Sequence, residues 1–93
     1  PFAHNNLGTL LARAGDYDAA AAHFVEAVRI NPRYALALAN LANCYLRKGQ
    51  EYEAFRVFRD ALRLMPDEDP KRPIIQEVVD QLAAAGAGDA PTP

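Results

Sequence analysis

Apolar residues recur along this chain at helical spacing. Leu7, Leu10, Leu11 and Ala14 share one helical face, as do Leu41, Cys44, Tyr45 and the stem of Lys48. After each run comes a second: Ala20, Phe24, Ala27 and Val28, then Ala54, Phe58, Ala61 and Leu62. In these second runs small residues two turns apart flank one aromatic ring, so two helices can approach closely around it. The pattern predicts helices over about Phe2–Ala14, from Asp16 to Ile30, over Ala35–Lys48 and over Tyr52–Met65. The breakers agree. Gly15 and Gly49 can adopt the positive φ that ends a helix. Asp16 can accept orphan amide protons as an N-cap. Pro32 and Pro66 lack an N–H and restrict the residue before them.

The two halves are copies. With residues 1–34 laid over 35–68, ten positions coincide without a gap: Ala3/Ala37, Asn6/Asn40, Leu7/Leu41, Arg13/Arg47, Gly15/Gly49, Ala20/Ala54, Phe24/Phe58, Ala27/Ala61, Arg29/Arg63 and Pro32/Pro66. A further shift by the same period places Ile75 on Leu7 and Leu41, Val78 on Leu10 and Cys44, Val79 on Leu11 and Tyr45, and Leu82 on Ala14 and Lys48. Pro70–Ala85 is therefore expected to be a closing first-helix. Gln76 then falls where the repeats carry Gly8 and Ala42, a polar residue with no second helix to meet, as suits the last unit of a solenoid. The expected organisation is all-α with about five helices: repeats over 1–34 and 35–68, a capping helix over 69–85 and a flexible tail over 86–93.

The chain resembles the tetratricopeptide repeat family. That family's pattern is Trp-x2-Leu-Gly-x2-Tyr, then Ala-x3-Phe, Ala and Pro. The first copy reads His4-x2-Leu7-Gly8-x2-Leu11, Ala20-x3-Phe24, Ala27, Pro32, and the second Leu38-x2-Leu41-Ala42-x2-Tyr45, Ala54-x3-Phe58, Ala61, Pro66. His4 and Leu38 stand in for the Trp, and the turn aromatic of the second copy, Tyr52, comes one residue later than Tyr17 predicts. The resemblance implies a right-handed superhelical array whose first helices line a concave groove for peptides. It assigns to that groove Phe2, Asn5, Asn6, Thr9, Ala12 and Arg13, and Leu36, Ala39, Asn40, Asn43, Leu46 and Arg47. Asn is a mediocre helix former, so four of them in two helices call for a reason. Solvent exposure is one. Recognition of a peptide backbone is another, because an Asn amide can bond a peptide N–H and C=O together, as in the asparagine ladder of O-linked N-acetylglucosamine transferases. Asn6 and Asn40 are the repeat-equivalent pair for such a ladder. The carboxylate clamp that some relatives use on chaperone tails does not fit, since only Asn40 matches its pattern.

Composition narrows the function. Of the 93 residues 51% are hydrophobic, but Ala supplies much of that share, which suits close helix packing. A net charge of −2 leaves no basic excess for a phosphate backbone, so nucleic acid is not expected as a partner. No apolar run is long enough to cross a bilayer, and no membrane partner is expected. A single cysteine, Cys44, excludes an internal disulfide. The chain opens at a repeat boundary without Met, as a piece of a longer protein would. Ala richness and eight Arg against two Lys suit a GC-rich bacterial genome, and the cytoplasm is the default location.

Catalytic residue types are scarce. His4, His23 and Cys44 are the candidates. His23 is expected on an outer face away from the first helices, and Cys44 as a small buried hydrophobe. No Cys/His pair has the usual metal-ligand spacing, so neither metal nor cofactor is expected. Arg29 and Arg63 close helices whose dipoles favour cations there, while Arg56, Arg59 and Arg63 read as a solvated basic face. The expectation is a non-catalytic module that binds a protein or peptide in its groove. The alternatives are self-association through an uncovered face of the first helix (Phe2, Ala3, Leu7, Leu10), or a substrate-recruiting segment of a larger enzyme such as a glycosyltransferase.

Overall fold

The structure, a computed structural model, describes residues 2–87, apart from the side chain of Phe2. Five helices follow one another: α1 (Phe2–Arg13), α2 (Tyr17–Ile30), α3 (Ala35–Arg47), α4 (Glu51–Leu64) and α5 (Arg72–Ala84). Each packs on the next in the chain, and α1 also touches α3.

One capping geometry is used three times. Gly15, Gly49 and Gly86 have φ of 85°, 80° and 86°. Each glycine N–H bonds back to a carbonyl (Ala12, Leu46, Ala83), and the next residue's N–H reaches one residue further back (Leu11, Tyr45, Leu82) at 2.8–2.9 Å. This paired bond satisfies carbonyls that a helix end otherwise leaves free. Its third use corrects the expected start of the tail. Gly86 and Ala87 are the cap of α5, and Ala87 is buried in the same cluster as Leu82. The rest of the expected tail, 88–93, lies outside the described residues.

The caps also correct the register of the closing helix. Gly86 lies 37 residues beyond Gly49 rather than 34. Three extra residues sit in the turn, which runs over 65–71 between α4 and α5 but only over 31–34 between α2 and α3. Counted from its cap, Ile75 takes the place of Leu38, not of Leu41, and Val79 takes that of Ala42. A slip of three keeps residues on nearly the same helical face, which is why the apolar pattern could not detect it. Arg72 secures the longer turn. Its Nη1 donates to the carbonyls of Leu62 at 2.5 Å and Met65 at 3.0 Å, at the C-terminal end of α4.

Two clusters make the core. One joins Ala20, Ala21 and Phe24 of α2 to Leu41 and Cys44 of α3. The larger joins α3 and α4 to Ile75, Val79 and Leu82 of α5 and includes Phe58. Close approach explains Gly8: a Cβ there would lie 2.7 Å from Cε1 of Phe24.

Candidate functional site

The groove between α1 and α3 follows from the helix order. With α2 wedged behind them, the two first-helices leave a depression of about 230 Å³ lined by Thr9, Ala12 and Arg13 of α1, and Asn40, Asn43 and Arg47 of α3. Tyr17 and Phe24 of α2 also line it. Arg13, Asn43 and Arg47 are exposed, and Thr9, Ala12 and Asn40 half-buried. Two guanidiniums, two amides and a hydroxyl above aromatic rings can bond a peptide backbone and attract acidic side chains.

The other expected residues are placed differently. Asn6 is exposed on α1, beside the depression rather than among its lining residues, and Leu36 and Leu46 are half-buried. Asn5, expected at the groove surface, is instead 5% exposed and lies beneath it. Its Oδ1 accepts a hydrogen bond from Nδ2 of Asn40 at 3.1 Å. Thr9 donates its hydroxyl to the carbonyl of Asn5 at 2.9 Å. The amide pair that meets across the helices is thus Asn5 with Asn40, one residue off the repeat-equivalent pair Asn6 and Asn40. Across the α1–α3 contact, position five of one repeat thus faces position six of the next. Ala39, the counterpart of Asn5, is buried and apolar; that contrast was the signal in the sequence.

Other candidates resolve simply. Cys44 is 1% exposed, and burial raises its thiol pKa above the ordinary value, which keeps it the weakly nucleophilic neutral thiol. Arg29 pairs with Glu26, and Arg63 with Asp60, one turn back on its own helix. Arg56 lies over the Tyr52 ring and Arg59 over Phe55. Lys48 reaches Asp18 at 2.5 Å, tying α3 to α2. His23 does not keep to an outer face away from the first helices: its Nδ1 lies 3.1 Å from Nδ1 of His4 on α1. No described helix is long and apolar enough to cross a membrane.

Antiparallel helix pairs copied at a fixed period, with glycine-capped first helices and an aromatic between small residues, define a helical-repeat array. A tetratricopeptide repeat model matches residues 5–73, and the chain belongs to that family. It is also 35% identical over 65 residues to Superkiller protein 3 of Schizosaccharomyces pombe. That match covers 70% of this chain but about 5% of the yeast protein's length. Tetratricopeptide repeats are generally protein–protein interaction modules.

Proposed function

We propose that this array docks an extended segment of a partner protein in the groove between α1 and α3. The observation that carries the reading is the Asn5–Asn40 bond. It fixes the Asn40 side chain at the groove while leaving the carbonyl oxygen and the second amide N–H for a ligand. An amide held in place loses less side-chain entropy on binding. Arg13 and Arg47, about two turns along the same helices, favour a ligand with acidic side chains. The module itself performs no chemistry in this reading. Any activity of a longer parent, including one in which the repeats recruit an enzyme's substrate, resides elsewhere.

The test is selection of peptides from a random display library on the chain, followed by amide-shift mapping by NMR. Selected peptides are expected to shift Thr9, Arg13, Asn40, Asn43 and Arg47. Asn40→Ala is expected to weaken binding roughly tenfold, the value of a net hydrogen bond of about 0.5–1.5 kcal/mol, and Asn6→Ala to matter only if the ligand extends past α1. Shifts confined to the outer face of α4 would overturn the groove reading.

A second reading has its own observation. Leu7 and Leu10 are 44% and 62% exposed on α1. This apolar stripe supports self-association, which light scattering across a concentration series measures. Leu10→Lys is expected to abolish it.

A further inference from the structure

We propose that the outer face of α4 docks a phosphorylated segment of a partner protein: Arg56, Arg59 and Arg63 hold the phosphate, and an adjoining apolar depression takes neighbouring side chains. The three guanidiniums and Asp60 line one depression of about 170 Å³. The arginines recur at intervals of three and four residues, so one helix face carries them all. Arg63 pairs with Asp60, whereas Arg56 and Arg59 make no ion pair among the described residues. Both are held against rings instead. Arg56 lies 5.7 Å from the centre of the Tyr52 ring, and Arg59 lies 5.4 Å from that of Phe55. A ring restrains the guanidinium by one face and leaves its N–H edge for a ligand. A fork ordered in advance loses less entropy when it takes an oxyanion.

The first repeat shows which of these charges the fold itself uses. Its equivalents of Asp60 and Arg63 are Glu26 and Arg29, which form the same one-turn ion pair. Its equivalents of Arg56 and Arg59 are Ala22 and Val25, both exposed. The ion pair recurs with the helix, and the two unpaired arginines are an addition that the fold does not require. The cluster carries a net two positive charges in a chain whose own net charge is −2. A phosphorylated side chain carries about −1.5 to −2 at neutral pH on three acceptor oxygens. Its charge matches the cluster, and it can take more than one guanidinium fork, where a carboxylate takes one. Beside the cluster lies a second depression, of about 510 Å³, lined by Val28, Pro32, Leu38 and Leu64; Asp60 and Arg63 line both. An apolar wall next to an anion site fits a phosphopeptide, which carries apolar side chains beside its phosphate. A nucleic acid would instead ask for cations along a continuous track. Neither depression shares a lining residue with the groove between α1 and α3.

The experiment offers the chain an immobilised library of short peptides with a central phosphoserine and random flanks, beside the same library with plain serine. Retention should require the phosphate, and the retained sequences should be rich in apolar flanking residues. A synthesised hit, followed by fluorescence anisotropy, should lose affinity roughly tenfold or more for each arginine removed. Arg56→Ala with Arg59→Val copies the first repeat, so it should keep the Tm of the parent chain and lose the peptide. Arg59→Lys, which keeps the charge but not the fork, should bind more weakly than the parent and more tightly than that double variant. Asp60→Asn frees Arg63 and should tighten binding. Amide shifts on binding should fall on Arg56, Arg59, Arg63 and Leu64. Equal retention of the serine library, a hit that the double variant binds as the parent does, or shifts confined to the α1–α3 groove would each overturn the site. So would tighter binding to phosphatidylserine vesicles or to single-stranded RNA than to any selected phosphopeptide.

Discussion

The two repeats place the same residue types in the same frame and bury them very differently. Leu7 is 44% exposed and its counterpart Leu41 6%; Leu10 is 62% exposed and Cys44 1%. The helices themselves are alike in length and cap. What differs is the neighbours. The outer face of α3 meets Ala20, Ala21 and Phe24 of α2, whereas no described helix covers that face of α1. The second repeat is also covered beyond, where α5 closes over Phe58. A solenoid repeat thus has no fixed stability of its own. Its stability depends on the interfaces on both sides.

Removing the cover should have the largest effect. Truncation before Pro70 exposes the surroundings of Phe58 and Leu62 and deletes Ile75, Val79 and Leu82, each contributing about 1.5–3 kcal/mol by burial. Helicity by circular dichroism is expected to collapse, or the chain to aggregate. Phe58→Ala follows closely. It costs about 3–5 kcal/mol, comparable to the whole stability of a domain this small, so no sharp thermal transition should remain near that of the parent chain.

Paired substitutions at equivalent positions break the symmetry directly. Leu41→Ala is expected to cost about 2–5 kcal/mol, and Leu7→Ala well under half of that because Leu7 is already wet. Equal losses by urea melting would show that α1 is covered in solution, as the self-association reading requires. The close contact at Gly8 gives a third comparison. Gly8→Ala should cost about 1–3 kcal/mol by overpacking against Phe24, and Phe24→Leu in the same chain should restore part of it.

The smallest effect separates the two turns. Asp16 caps α2 by accepting from the Ala19 N–H at 3.2 Å. Gln50, its counterpart at α4, makes no such side-chain bond. Gln50→Asp is expected to stabilise the chain by about 0.5–1 kcal/mol, and Asp16→Ala to destabilise it by about 1 kcal/mol. A Tm that falls for Gln50→Asp would mean that the carboxylate finds a worse partner than the α4 amides.

The sequence alone determined the elements and their order. Period, glycine and proline positions, and the Phe24 and Phe58 motifs act through local backbone preference and through helix faces, which need no knowledge of neighbours. That α1 and α3 would lie side by side was legible for the same reason; a depression between them is lined by Arg13, Asn43 and Arg47, and whether it takes a partner is what the peptide selection tests. Three things needed the tertiary structure. The closing helix slipped by three residues, invisible to a pattern in which positions three apart share a face, and only the Gly86 cap fixed it. Asn5 turned inward because neighbouring first-helices meet off-register, which sets position five against position six. His4 and His23 met because antiparallel packing of α1 on α2 brings distant residues level. Each is a contact between helices. The 3.6-residue period says which face a residue occupies, but not how far along its partner that face is docked.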